Sequence, residues 1–209
     1  ELLAWNQRVN LTAITDPEEI DRLHFLDSLT LVLAAPDLGR PGIHLCDVGS
    51  GAGFPGVPLK IAFPSLKVTL IDSTTKRTNF LRYLVASLSL EDVQVLTGRA
   101  EDLARTLELR DAFDVVVARA VADLAVLLEY TMPFCRIGGR VVLPKKGNIR
   151  AELDSAGEAL EQLGGESLEV VSVPDEVLGG QRVLVVARKA KATPKRYPRR
   201  VGVPSKRPL

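Results

Sequence analysis

Seven residues, Asp47-Val48-Gly49-Ser50-Gly51-Ala52-Gly53, are the part of this sequence best equipped for chemistry. They follow an apolar run, Ile43 to Val48, so an acid lies near the end of a strand and three alternate glycines open the turn after it. Glycines permit a tight turn and close backbone approach, and a helix N-terminus beyond the turn offers free N–H groups and a positive dipole end. The expectation is an anionic group seated there. A dinucleotide fingerprint, G-x-G-x-x-G, would place its third glycine at position 54, but Phe54 stands there and the glycine comes one residue earlier, at Gly53. That spacing disfavours NAD. A second acid, Asp72, closes the next apolar run, where one carboxylate can accept both hydroxyls of a ribose. Its alternative is an acid placed at a helix start for the dipole.

The elements that must position these groups are legible in outline. Short, β-branched runs at Ile43 to Val48, Val68 to Ile71, Val93 to Leu96, Phe113 to Ala118 and Val141 to Leu143 read as strands of a buried parallel sheet. Asn79 to Leu88 and Ala151 to Leu163 carry apolar residues on one face and read as helices, the second capped by Gly164-Gly165. Leu168 to Val173 and Arg182 to Ala187, joined through Gly179-Gly180, predict an antiparallel hairpin at the end of the sheet. The fold class is therefore α/β, a doubly wound, Rossmann-like, mainly parallel sheet. Before it, residues 1–35 read as a helical cap with a loop from Asn10 to Pro17 and a buried stripe of Ile20, Leu23, Leu26 and Leu29. The sequence begins at Glu1 inside a helical pattern and without methionine, so a preceding piece is expected. The organisation is one domain: cap 1–35, core 36–189, tail 190–209.

Composition narrows the classes. At 209 residues with 46% hydrophobic and 25% charged content, the chain fits one globular domain. No apolar run approaches the roughly 20 residues that span a bilayer, and no signal-peptide pattern appears, so a cytoplasmic location is expected. Cys46 and Cys135 have neither disulfide density nor CxxC spacing, and no metal is expected. The formal charge of +1 conceals an asymmetry: Arg188 to Leu209 holds nine basic and no acidic residues, leaving −8 on the rest. With Tyr197 and four prolines interleaved, this tail reads as a segment that tracks a nucleic-acid backbone; a merely solubilising tail is the alternative.

The acid followed by G-x-G-x-G resembles the first motif of class I methyltransferases. Their cofactor, S-adenosylmethionine, has no pyrophosphate, and Asp47 can meet its ammonium. Further strings extend the likeness: Asn10-Leu11-Thr12, His24-Phe25-Leu26-Asp27-Ser28-Leu29, Phe54-Pro55-Gly56, Lys76-Arg77 before Phe80-Leu81, Arg99-Ala100-Glu101, Ala118-Arg119-Ala120, and Tyr197-Pro198-Arg199-Arg200 with Lys206-Arg207-Pro208-Leu209. Together they resemble the bacterial small-subunit ribosomal RNA guanine-N7 methyltransferase family, also called glucose-inhibited division protein B, over essentially the whole chain. The resemblance implies S-adenosylmethionine as cofactor and N7 of guanine 527, in the 530 loop of 16S rRNA, as target. It implies cofactor contacts from Gly49, Phe54, Asp72 with Ser73 and Thr74, Ala100 with Glu101, and Arg119, to which the loop adds Asp47, Gly51 and Gly53. Glu101 stands level with a plain first-turn helix acid. Where the family is expected to show Leu-Lys-Gly, this chain has Pro144-Lys145-Lys146-Gly147, so either lysine could take the role.

Guanine N7 carries a lone pair and no proton, so its methylation is an in-line displacement that needs no general base, and catalysis is positioning. The product ring gains positive charge, so cations should hold O6 or phosphate rather than N7. Candidates for positioning are Arg119, Lys145, Lys146, Asn10 and His24. Each has a plainer reading: Arg119 as an i+4 pair with Asp123, His24 as a packed core residue, which is favoured, and Asn10 as a turn residue first. Lys76 and Arg77, at a helix start that disfavours cations, either meet RNA or pair with Asp72. Arg196, Arg199, Arg200, Lys206 and Arg207 are the RNA-binding candidates of the tail, and deleting the tail is expected to leave cofactor affinity little changed. The small ribosomal subunit is the expected partner of a monomer. Rival readings are a methyltransferase for a small molecule or protein, and a non-catalytic ribosome-assembly factor with a vestigial pocket.

Overall fold

The computed structural model describes residues 1–119 and 122–209; Ala120, which closes the Ala118-Arg119-Ala120 string, lies outside the described residues, as does Val121. The apolar runs form β1 (His44–Val48), β2 (Lys67–Asp72), β3 (Val93–Thr97), β4 (Phe113–Val117) and β5 (Cys135–Lys146). These five pair parallel with one another, and β7 (Arg182–Lys189), antiparallel to both β5 and β6 (Gly165–Ser172), completes the order β3-β2-β1-β4-β5-β7-β6. The hairpin arises as expected, with β7 on the inside against β5. β5 is much longer than its apolar centre because an irregular register after Phe113 carries the pairing back to Cys135.

The strand residues alternate between two buried clusters. Leu45, Leu70 and Val115 face Val57, Leu59 and Phe80 on one side, while Cys46, Ile71 and Val116 face Leu124, Leu128, Ala156 and Leu160 on the other. Helices α4 (Gly56–Ala62) and α5 (Thr75–Ser87) thus cover one face, and α7 (Leu124–Thr131) and α8 (Arg150–Gln162) the other. Short helices α6 (Ala100–Leu103) and α9 (Asp175–Leu178) lie in connections. This is the doubly wound α/β architecture. The chain runs outward from β1 to β3 and returns on the other side of β1 as β4, so the crevice beyond the carboxyl ends of β1 and β4 is the place where such a sheet receives ligands.

The cap departs from its predicted face. After α1 (Leu2–Val9), a continuous helical run comprises α2 (Pro17–Ile20), a π-helical turn (Asp21–Leu26), α3 (Asp27–Leu29) and a 3-10 turn (Thr30–Leu33). Its buried face is Ile20, His24, Asp27, Ser28, Thr30 and Leu31, and Leu26 is exposed. The wider π turn shifts the phase of the face, so the leucine stripe does not set it. The inward polar groups are satisfied: Ser28 Oγ donates to the His24 carbonyl at 2.6 Å.

The tail is not a free strap. Tyr197 is buried, and its hydroxyl bonds the Gln162 side chain. Gly164 ends α8 with φ +88°, and its carbonyl accepts the N–H groups of Ala190 and Lys191, each at 2.9 Å. Lys189 is buried, with Nζ on Asp111 (2.8 Å), the Met132 carbonyl (2.6 Å) and Thr193 Oγ1 (2.7 Å). Arg199 clamps the fully buried Glu129 through its backbone N–H (2.7 Å), Nε (3.0 Å) and a terminal nitrogen (2.6 Å). Arg199 is therefore engaged within the fold rather than presented to RNA, because Glu129 would otherwise be a buried charge without a partner. Arg196, Arg200, Lys206 and Arg207 remain exposed, Arg196 resting over the Tyr197 ring at 5.0 Å. Among the described residues no helix is long and apolar enough to cross a membrane.

Candidate functional site

The loop after β1 folds on itself. Gly49, Gly51 and Gly53 all take positive φ, which the sequence pattern requires of them. The N–H groups of Gly49 and Ser50 donate to the Ile71 carbonyl at 2.8 and 2.9 Å, that of Gly53 to the Ser50 carbonyl at 2.8 Å, and that of Gly51 to Asp72 Oδ2 at 3.0 Å. The amides expected to cradle an anion are thus used within the fold, and what the loop presents instead is the Asp72 carboxylate. Asp72 Oδ1 also accepts from the Thr74 N–H at 2.8 Å. A carboxylate has about four lone-pair positions, so two remain for a vicinal diol.

Asp47 does not reach the ligand side. It is fully buried under the loop, Oδ2 accepting from the Gly56 N–H at 3.0 Å and Oδ1 without a hydrogen-bond partner among the described residues. Burial pushes its carboxyl up to about 7, with the Gly56 N–H and then Arg119 pulling the other way. The ammonium contact expected of Asp47 therefore has no support in its position; it fastens the loop to α4. A Cβ on Gly56 would lie 2.5 Å from Leu70 Cδ2 and 3.0 Å from Asp47 Oδ2. Gly56→Ala is accordingly expected to cost about 1–3 kcal/mol by overpacking, measured by denaturant unfolding. A neutral substitution would show that the loop can shift freely.

A cavity of about 200 Å³ opens beside the loop, lined by Gly49, Asp72, Ser73, Ala100, Glu101, Ala118, Leu127 and Tyr130, among others. It gathers five of the predicted cofactor residues, and a Cβ on Gly49 would meet only open space. Gly51 and Thr74 act on it by holding Asp72. Glu101 is both things the sequence left open, an acid in the first turn of α6 and a buried wall of this cavity. Leu127 and Tyr130 were missed because α7 is apolar nearly all round and gives no face to read. A carboxylate with free acceptor positions for a diol, a second carboxylate in the wall, and apolar walls from Ala100, Ala118 and Leu127 fit the nucleoside of S-adenosylmethionine.

A wider cleft of about 730 Å³ is lined by His24, Asp27, Arg119, Lys145, Lys146, Glu152 and Arg182 together with Leu23 and Asp123. Consecutive residues after β4 line the two spaces, Ala118 the one and Arg119 the other. Arg119 does not pair with Asp123. Its terminal nitrogens donate to the Leu23 carbonyl (3.0 Å), Asp27 Oδ2 (3.1 Å) and His24 Nδ1 (3.1 Å), and its guanidinium lies 5.2 Å over the Phe54 ring. Phe54, expected at the cofactor, is instead the platform on which Arg119 and the stacked His24 ring rest, the latter at 4.7 Å. Arg182, which carried no signal in the sequence, takes Asp27 Oδ1 at 2.9 Å. Lys145 is held by Glu152 and the Ala122 carbonyl, both at 2.6 Å, whereas Lys146 is exposed at the rim. Arg77 pairs with Asp72 at 3.6 Å, as its plainer reading had it, and Lys76 is exposed. Asn10 is the left-handed cap of α1, a turn residue away from the cleft walls.

Because Arg119 can only donate, His24 Nδ1 accepts, and its Nε2–H is left to donate to Thr12 Oγ1 at 2.7 Å. Burial, and then Arg119, lower the His24 pKa below its ordinary 6.5. The folded state therefore binds this proton less readily than the unfolded chain. The resulting stability is complete above 6.5 and is lost as pH falls through and below that value. Comparing denaturant midpoints of the parent and His24→Gln between pH 7.5 and 5 should show the steeper loss in the parent; parallel curves would remove His24 from the account.

Sheet order, cofactor cavity and the wider cleft define a class I, S-adenosylmethionine-dependent methyltransferase. Solved structures agree in fold: TrmN from Thermus thermophilus (TM-score 0.57, 21% identity, 78% of this chain and 48% of that one) and M. jannaschii TYW2 in complex with AdoMet (0.57, 18%, 77% and 74%). A precorrin-6y C5,15-methyltransferase from Geobacter metallireducens is similar at TM-score 0.53 and 16% identity, covering 77% of this chain and 87% of its own. A family described as GidB, rRNA small subunit methyltransferase G, matches residues 1–184, and the chain belongs to it. Proteins named ribosomal RNA small subunit methyltransferase G are similar over all of this chain and 88% of their own lengths, at 51% identity in Roseiflexus castenholzii and 47% in Dehalococcoides mccartyi.

Proposed function

We propose that this chain transfers the methyl group of S-adenosylmethionine to N7 of guanine 527 in the 530 loop of 16S rRNA, working as a monomer on the small ribosomal subunit in the cytoplasm. The observation that carries the reading is the junction at Ala118 and Arg119. There consecutive residues line a cavity that fits a nucleoside and a cleft whose walls supply Arg119, Lys145, Lys146 and Arg182. Family membership supplies the class of substrate, and the fold supplies the cofactor.

When bound, S-adenosylmethionine offers an electrophilic methyl on a cationic sulfur. An N7 lone pair would accept that methyl with no proton to remove, so the chain's residues would have only to hold and orient the two partners. Asp72 and Glu101 hold the nucleoside end. Arg119, fixed on three sides by Leu23, Asp27 and His24, has donors left for guanine O6, a contact that identifies the base without touching N7. Asp27 and Glu152 offset the charges of Arg119, Arg182 and Lys145, so the cleft does not strongly oppose a base that becomes positive. Lys146 at the rim is placed for phosphate.

Small subunits lacking the modification, incubated with the protein and cofactor, should gain one methyl at that guanine by mass spectrometry and primer extension. Methyl transfer to another nucleotide, or to protein alone, would overturn the assignment. The single-turnover rate should stay nearly flat from pH 7 to 9, because no group in the proposal gains or loses a proton in the reaction and the His24 pKa lies below this range. A steep slope abolished by one substitution would expose a general base.

A further inference from the structure

The segment from Arg199 to Lys206 runs along the back of the cofactor cavity. Its Gly202 N–H donates to Glu101 Oε1 at 3.0 Å, and Glu101 is a cavity wall. Helix α10 (Val203–Lys206) packs on α7, which contributes Leu127 and Tyr130 to the same cavity and Glu129 to the Arg199 clamp. Burial and the Glu101 charge push the Tyr130 phenol up, and the nearby Ser205 hydroxyl pulls it back. The same segment displays Arg200 and Lys206 to solvent, and Arg207 follows it, also exposed. The family match stops at residue 184, before the segment itself but beyond the cavity residues it contacts.

We infer that the C-terminal segment is a positioning element of the cofactor site: its Gly202 N–H fixes one oxygen of Glu101 so that the carboxylate faces the nucleobase, and the docked α10 holds Tyr130 in the wall. The inference rests on the cofactor reading above. A carboxylate that loses the one hydrogen bond it has among the described residues is free to turn to solvent or to a cation such as Arg99, which lines the same cavity. Binding then has to reorder it. The segment also bears exposed cations, so an anionic chain docked on Arg200 and Lys206 and a cofactor docked on Glu101 share one structural element. Each is then expected to strengthen the other. This inference runs against the sequence expectation that the tail is independent of the cofactor.

The test truncates the chain after Arg200, which retains the Arg199–Glu129 clamp, and measures S-adenosylmethionine affinity by calorimetry beside Glu101→Ala and the combined variant. Truncation should weaken binding about 10-fold, and Glu101→Ala should weaken the truncated chain much less than the full chain, since both remove the same interaction. Equal affinity of truncated and full chains, or two losses that simply add, overturns the inference. In the intact protein, where folding is not at issue, saturating cofactor should slow hydrogen exchange of the Gly202 and Ser205 amides at least several-fold; unchanged exchange overturns it independently. Failure of the full chain itself to bind S-adenosylmethionine defeats the cofactor reading first, and this one with it.

Discussion

Replacing Arg199 with alanine is expected to destabilise the protein by about 3 kcal/mol, the cost of leaving a buried carboxylate with its charge uncompensated. Glu129 is completely buried, and Arg199 supplies both a backbone N–H and side-chain donors to its two oxygens. The alanine variant keeps only the backbone N–H. For a chain of this size the loss corresponds to a fall in Tm of roughly 6–12 °C. Arg199→Lys should recover only part, since an ammonium cannot match the two-oxygen geometry. The control is Arg200→Ala, one residue on and exposed, which should stay within about 0.5 kcal/mol. If both variants unfold at the same denaturant concentration, the Arg199 clamp contributes no more than an ordinary surface charge.

Removing the Asp72 carboxylate is expected to have the largest effect on binding. In Asp72→Ala two hydroxyl acceptors disappear, each worth about 1.5–3 kcal/mol as a hydrogen bond to a charged group. Gly51 and Thr74 also lose the oxygens on which their N–H groups are anchored. Affinity for S-adenosylmethionine should drop at least about 100-fold by calorimetry, since each 1.4 kcal/mol is tenfold. Asp72→Asn preserves shape and one acceptor and should fall between. Arg77→Ala is the useful comparison, because its 3.6 Å pairing with Asp72 is half exposed and is expected to change affinity only a few-fold. Binding by Asp72→Ala at the parent's affinity would place the nucleoside elsewhere.

What the sequence made legible was whatever is local. Strands buried on both faces show as continuous apolar runs, and the glycines of the loop show because positive φ demands them. Asp72 could be assigned because it ends a strand that could itself be recognised. The failures share a cause, which is partners distant along the chain. Glu129 and Arg199 are 70 residues apart, and Glu101 and Gly202 are 101 apart; neither member of either pair announces the other. The tail accordingly looked like unpaired charge. The phase of the cap failed for a different reason: a π turn changes the repeat on which any count of helical faces depends, and the face it buries carries His24 and Asp27 for the cleft rather than leucines for the core. Asp47 shows the limit of a motif: the residue is where the pattern puts it, but its carboxyl is buried under the loop and fastens the loop rather than meeting the ligand.

The insertion of β7 between β5 and β6 bears on how the chain matures as it is made. β6 has β7 as its sheet partner, the Lys189 anchor ends β7, and the Arg199 anchor comes after it. A ribosome producing this protein therefore releases strands β1 to β5, with the residues that line the cavity, while the sheet edge at β5 still lacks β7 and Glu101 still lacks the Gly202 N–H. At about 5–20 residues per second the interval from β5 to Gly202 is a matter of seconds. On the inference drawn above, the support that Gly202 gives to Glu101 is added only after the strands and the cavity lining have been made.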